Sequence, residues 1–259
     1  VLFFLTSLFF SCRSVKSIEV ETYNPARITF PPEVKTLMVV NNSAQQPDGI
    51  GHKYRLGNKG DSLMSVSADS TAYDFCLWLG KNMAESPIFD DVRLCEDTLR
   101  RDSVFYDKRP FSAGTVKKLC KSYGVDGLIS LDNMYFITEV YDTGMKEWFA
   151  GSFIKVQLTG ELRALWPTQK EVYAFPVSDS LKWYWSNQIH FPDYVEVEAK
   201  PDVKEAMRYL SGVVGEKMYI NFVPYWSFDN RWYYTSISSE WKRGTAYADA
   251  GKWEEALTT

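Results

Sequence analysis

The sequence predicts an α/β (α+β) fold in which a mixed sheet with a long antiparallel hairpin is flanked by helices and followed by a helical segment. Three observations predict it. From Phe153 to Trp166 the residues alternate: Ile154, Val156, Leu158, Gly160, Leu162, Ala164 and Trp166 share one face, and Lys155, Gln157, Thr159, Glu161 and Arg163 share the other. A period of two over that length is a long antiparallel strand with one wet side. Separate stretches repeat apolar residues at helical spacing, and these helices alternate with short strands before the long strands begin.

Taken in order, IEVETY (Ile18–Tyr23) alternates and predicts a strand. Val34 to Val40 is a short, mostly apolar run of the buried-strand kind. The segment AQQPDGIGHKYRLGNKGDS, rich in Gly, Asn and Asp, predicts a long loop. Its glycines, Gly49, Gly51, Gly57 and Gly60, lack a following Gly-Lys-Ser/Thr, so a phosphate loop is not supported. Ser70 is placed to cap a helix running to about Ser86, with Ala72, Phe75, Cys76, Leu79 and Met83 on one face and Pro87 ending it. DVRLCED (Asp91–Asp97) predicts a strand. FSAGTVKKLCKSYG predicts a second helix with Val116, Leu119, Cys120 and Tyr123 inward, closed by Gly124. VDGLISLDNMYFITEVYD begins the strand that precedes the alternating one, with YDTGMKE as their turn; KEVYAF and LKWYW predict further strands. Asp202 starts a helix with Val203, Ala206, Met207, Leu210 and Val214 inward, and VPYWSFDNRWYYT leads into a closing helical unit.

The chain of 259 residues, 45% hydrophobic and 16% aromatic, can bury a sizeable core. A net charge of −4 with no basic stripe speaks against nucleic acid as a partner. No apolar run reaches the roughly 20 residues of a spanning helix. Cys12, Cys76, Cys95 and Cys120 show no C-x-x-C spacing, so no zinc site and no cofactor are expected. Cys76 and Cys120 fall on apolar helix faces, which predicts core thiols, no more than one disulfide and, as the favoured reading, none.

Val1 to Phe10 has the length of a signal-peptide apolar region, about 7–15 residues, and ends at Ser11 and Cys12. This resembles a bacterial lipoprotein signal, in which a small residue precedes a cysteine that is acylated on sulfur. Several acyl chains give stable anchoring, at about 0.8 kcal/mol per buried methylene. Phe9 and Phe10 stand where that family favours Leu and then Ala or Ser. The alternatives are an ordinary secretory signal with a chance cysteine, or a buried N-terminal strand. The missing initiator methionine and the abrupt GKWEEALTT end predict a fragment truncated at both ends.

The order from Val34 to Trp166 resembles the α/β domain shared by the TolB translocation protein and the curli secretion lipoprotein CsgG: KTLMVV, a helix ending near SPIFDDVRLCED, then a helix running into YGVDGLISLDNM. The resemblance implies that Gly124 and Asp126 deliver the chain from helix into a core strand. SSEWKRGTAYADAGKWEEAL resembles the first two-thirds of a tetratricopeptide repeat, with signature positions at Gly244, Ala246, Tyr247, Gly251, Trp253 and Ala256. It implies that small Gly244 and Ala246 let helices approach, Gly251 turns the chain, and Tyr247 and Trp253 pack around Ala256; a plain helical hairpin is the alternative. The expected fold class is therefore α/β (α+β), a mixed sheet with a long antiparallel hairpin flanked by helices, followed by the start of an α-helical tetratricopeptide repeat region. The expected division is a signal segment at 1–12 with its front missing, a tether and first strand at 13–32, the TolB/CsgG-like domain at 33–235 and a truncated repeat at 236–259. RWYYT, Arg231 to Thr235, is expected to brace the junction.

Chemistry is sparse. His52 and His190 both fall in predicted loops, where histidines are usually solvated, and no G-x-S-x-G or H-E-x-x-H motif occurs. Asp90–Asp91 and Glu96–Asp97 flank a strand and a turn. Trp183, Tyr184, Trp185, Phe191 and Tyr194 crowd one stretch and could stack on a sugar or a partner, or belong to the core. The reading that results is an outer-membrane lipoprotein of a Gram-negative envelope, lipid-anchored at Cys12 and facing the periplasm. It takes protein partners through its repeat region. The alternatives are an envelope glycan-binding or glycan-active protein using residues 181–194, and an accessory subunit of an envelope secretion or assembly complex.

Overall fold

A computed structural model describes residues 15–97, 99–100, 102, 104–143, 152–185, 195–196, 202–234 and 238–259. The chain divides into two compact units, one formed by 26–223 and the other by the segments up to Pro25 and from Pro224 onward. The fold is α+β with a mixed sheet.

In the larger unit an eight-stranded sheet runs β4–β3–β6–β7–β8–β9, with β2 also on β6 and β5 on β2. The strands are β2 (Thr36–Asn41), β3 (His52–Leu56), β4 (Ser62–Leu63), β5 (Asp91–Leu94), β6 (Gly127–Asp142), β7 (Ser152–Leu165), β8 (Tyr173–Trp185) and β9 (Val195–Glu196). The helices are α1 (Thr71–Ala84), α2 (Ala113–Tyr123) and α3 (Val203–Met218). β6 and β7 form the expected long antiparallel pair, from Leu128 opposite Leu165 to Tyr141 opposite Phe153. Alternation then sorts the core. Ile129, Leu131, Phe136, Ile154, Val156, Leu158 and Leu162 meet α1 and α3, whereas Leu128, Leu165, Met38 and Val40 meet Val116 and Cys120 of α2 on the opposite face.

Local signals set the ends of these elements. Asp202 caps α3 by accepting from the N–H groups of Lys204 (2.8 Å) and Glu205 (3.2 Å), and Ser112 caps α2 through the Thr115 N–H. Gly124 closes α2 at φ 63°, a left-handed turn that an L side chain resists. We expect Gly124→Ala to cost about 1 kcal/mol by urea denaturation. Two residues later the Asp126 carboxylate accepts from the N–H of Lys35 (3.0 Å) and of Thr36 (2.8 Å) and from the Thr36 hydroxyl. Burial works to raise its pKa, but these donors outweigh burial and hold it below the usual carboxylate range. The helix exit and the start of β2 are thus pinned together.

Several expectations are corrected. Ser70 makes no side-chain cap; it sits at φ 67° before α1, and Thr71 Oγ1 donates instead to the Ala68 carbonyl at 2.6 Å. The predicted long loop contains β3, parallel to the C-terminal half of β6. β2 is parallel to the N-terminal half on the same edge. Between them Gln46 acts as a short substitute strand: its Oε1 accepts from the Phe136 N–H and its Nε2 donates to the Phe136 carbonyl. β5 stops at Leu94. KEVYAF and LKWYW are one strand, because residues 176–180, which look like a break, pair with 157–161 of β7. Among the described residues β9 pairs only with Trp183 and Tyr184, so Pro176 lies where no further described strand needs its missing N–H. The YDTGMKE turn falls largely outside the described residues.

In the smaller unit β1 (Val15–Asn24) pairs antiparallel with β10 (Tyr225–Tyr234), Val15 opposite Tyr234 and Asn24 opposite Tyr225. VPYWSFDNRWYY is thus a strand, partnered by the one expected in the tether. Helices α4 (Ser239–Asp249) and α5 (Trp253–Leu257) follow.

Candidate functional site

The smaller unit contains an apolar groove. Ser238 caps α4 by accepting from the Trp241 N–H at 3.2 Å. At its far end the Gly251 N–H donates to the Ala248 carbonyl and the Lys252 N–H to the Tyr247 carbonyl, both at 2.9 Å. Gly251 itself stands at φ 71°, which makes the turn into α5. Tyr233 of β10 donates to Asp249 at 3.3 Å. Between ribbon and hairpin lies a cavity of about 560 Å³ whose walls include Ile18, Trp241, Gly244, Trp253, Ala256 and Leu257. No residue of α4 or α5 is buried, and Leu257 is 88% exposed. Trp241, Trp253 and Leu257 thus leave apolar surface uncovered on this hairpin.

Of the expected repeat positions, Gly244, Trp253 and Ala256 come together in this groove and Gly251 makes the turn. Ala246 is exposed and Tyr247 half-buried. A methyl group added at Gly244 would stand 3.5 Å from the Ala256 carbonyl oxygen, ordinary contact, so that crossing tolerates alanine.

The aromatic stretch separates by alternation. Trp183 is 5% exposed and packs edge-on against Tyr209 of α3 at 6.2 Å, so it is core and not a stacking surface. Tyr184 points to the opposite face, where it tilts against Phe153, and Phe153 stacks on Tyr141 at 5.4 Å. Lys182 Nζ lies 3.8 Å from the Phe153 ring centre and 4.6 Å from that of Tyr184. Phe191, Tyr194, His190 and Cys12, and the side chain of Trp185, lie outside the described residues.

A polar cluster that sequence inspection missed sits in the sheet. A register shift between Leu131 and Asn133 makes Asp132 a bulge residue, turning its carboxyl inward. Asp132 is wholly buried. Its Oδ1 accepts from Asn42 Nδ2 (2.9 Å) and Ser130 Oγ (2.6 Å), and Arg163 Nε stands 3.1 Å from its Oδ2 as an ion pair without hydrogen-bond geometry. Burial raises the Asp132 pKa, and these partners only partly offset it. Arg163 also holds Glu161 at 2.6 Å, and Lys108 holds the other Glu161 oxygen at 2.8 Å. Burial tends to raise Glu161 too, but the two cations prevail and its pKa is lowered. Two carboxylates sharing one guanidinium read as a structural bracket, since neither is free to act on a ligand. The only sequence sign was an aspartate inside an apolar strand.

His52 is fully buried rather than solvated, with Nδ1 2.8 Å from Thr138 Oγ1; burial lowers its pKa more than nearby Asp48 raises it. Cys76, Cys95 and Cys120 are buried free thiols. Burial pushes the Cys76 thiol far up and Cys120 up to about 11, so neither is a ready thiolate at neutral pH. Among the described residues no three His, Cys, Asp or Glu side chains gather as metal ligands, and no helix is long and apolar enough to cross a membrane.

Residues 34–234 match the family model described as "Domain of unknown function (DUF8603)". The chain belongs to the DUF8603 family. No curated protein matches it. Among solved structures, a chain of the PelC dodecamer from Paraburkholderia phytofirmans matches at 10% identity and a TM-score of 0.29, covering 78% of this chain and 96% of that one. The DUF8603 match takes in all of the larger unit's sheet and helices and runs to the last residue of β10. It stops short of the groove-forming helices and leaves out β1, the partner of β10.

Proposed function

We propose that this DUF8603 protein is an envelope lipoprotein, held at the outer membrane through Cys12, facing the periplasm and acting as a protein-interaction scaffold. The observation that carries the scaffold reading is the apolar groove at Trp241, Trp253 and Leu257, on helices with no buried residue. The repeat-like spacing of Gly244, Gly251 and Ala256 supports reading α4 and α5 as part of a tetratricopeptide array, whose stacked helices form concave binding surfaces. The TolB/CsgG-like order of the α/β domain supports an envelope setting. Anchoring rests on the apolar run that ends at Ser11 and Cys12.

Two measurements test the two halves separately. In cells fed a palmitate analogue, the wild-type chain is expected to carry label and Cys12→Ala to carry none; label on the variant defeats the anchor. A photocrosslinking amino acid at Trp253 or Leu257 is expected to capture a protein partner that the same group at Lys155, on the sheet, does not. Equal capture at all three positions, or none, defeats the groove as the interaction site. A second reading, glycan binding, draws on the row Tyr141, Phe153, Tyr184 with Lys182 beside it; binding of envelope glycan abolished by Phe153→Ala would favour it.

A further inference from the structure

The ribbon of β1 and β10 is two strands wide, and among the described residues nothing pairs with the outer edge of either strand. Such a ribbon is marginal in water unless more strands or packing support it. One face also carries Tyr23, Trp226, Phe228, Trp232 and Tyr234, each between 59% and 76% exposed. A free edge beside exposed aromatics invites another strand.

The charge pattern says which strand. β1 carries Glu19 and Glu21 on the aromatic face, as the register places them opposite Asn230 and Phe228. Antiparallel pairing of two β1 edges centred on either residue, or between them, sets glutamate against glutamate, which repels. β10 is the reverse. Its sequence WSFDNRWYY is nearly palindromic in character about Asn230. A two-fold axis through Asn230 puts Asp229 opposite Arg231 of the second copy, twice, and also sets Phe228 against Trp232 and Trp226 against Tyr234. Opposite charges and aromatic pairs directly across a ladder are the favourable cross-strand combinations. Shifting the centre by one residue either way stacks Asp229 on Asp229 or Arg231 on Arg231. Asp229 and Arg231 are about half and two-thirds exposed and, among the described residues, pair as ions only with each other, at 3.2 Å, so both are accessible to a second strand.

We propose that two copies of this chain associate through antiparallel pairing of their β10 edges about a two-fold axis at Asn230, giving a four-stranded sheet β1–β10–β10–β1. The interface is isologous, so each substitution counts twice.

The test uses the full chain in detergent solution and sedimentation to read its mass. Wild type is expected to be a concentration-dependent dimer. Arg231→Asp and Asp229→Arg each place like charges across the axis, and each is expected to weaken the dimer by more than about tenfold. Mixing the two variants is expected to restore it, because only the mixed pair sets opposite charges together at both positions. An effect confined to the intrachain Asp229–Arg231 contact gives no such rescue in trans. As a second measurement independent of those charges, Asn230→Cys lies on the axis and is expected to form a disulfide-linked dimer on mild oxidation, whereas Glu19→Cys is not. A monomeric wild type, an oligomer insensitive to both charge variants, no recovery on mixing, or equal crosslinking at Glu19→Cys would each overturn the proposal.

Discussion

Gly215→Ala is expected to destabilise the larger unit by about 3 kcal/mol, read as a lower urea midpoint. α3 crosses α1 at this residue. A Cβ built there would collide with the Phe75 backbone oxygen and stand 3.2 Å from the Phe75 Cα. Backbone cannot rotate away as a side chain can, so α3 must withdraw along its length. Withdrawal opens the layer shared by Phe75, Leu79, Met207, Leu210 and Val214, all buried. Alanine is otherwise better than glycine in a helix interior by up to about 1 kcal/mol, so a net loss isolates the crossing. Gly212→Ala is the control: its nearest neighbour is the Trp78 ring at 3.0 Å, a half-exposed side chain with room to move. Its cost should be well under half as large. Similar losses at both positions would show that the crossing is not what the glycines serve.

Asp132→Ala is expected to cost about 3 kcal/mol at neutral pH, because it strands Asn42, Ser130 and Arg163 around an empty bulge. Retention of Glu161 by Arg163 keeps the loss at the lower end of the range for broken buried pairs. Asp132→Asn separates charge from shape. In the folded protein the Asp132 pKa is raised, chiefly by burial, so its ionised form costs the folded state more than the unfolded one. That cost is absent below the unfolded value of about 3.9. It develops as pH rises through the interval up to the raised folded value, and is complete above it. The stability of Asp132→Asn relative to wild type should therefore improve as pH rises from about 4. A constant difference across that interval, by chemical denaturation at each pH, would mean that Asp132 titrates normally in place.

How far the sequence carried the fold depends on the range of each interaction. The stripe Phe75, Cys76, Leu79, Met83 and the Asp202 cap are settled within a turn or two of chain, and both stand in the structure as read. β3 was not legible, because HKYRL is short, polar at alternate positions and bracketed by glycines. Its reason for being a strand is the C-terminal half of β6, some eighty residues away. Of the groove, the turn at Gly251 and the small residues at Gly244 and Ala256 were visible as spacing. That Ile18 and Tyr233 help to line it was not, because that depends on pairing the two ends of the described chain.

Sequence by itself determined the three helices of the larger unit, most of their apolar faces and the long β6–β7 pair, since periodicity and caps act between near neighbours; it did not join β8 into one strand or show β10 as a strand. Only the tertiary structure decided that Trp183 turns into the core while Tyr184 turns out. It also decided that Asp132 is buried on an arginine and that β10 finds β1. Those outcomes rest on register between distant strands, where a shift of one residue moves every side chain to the other face.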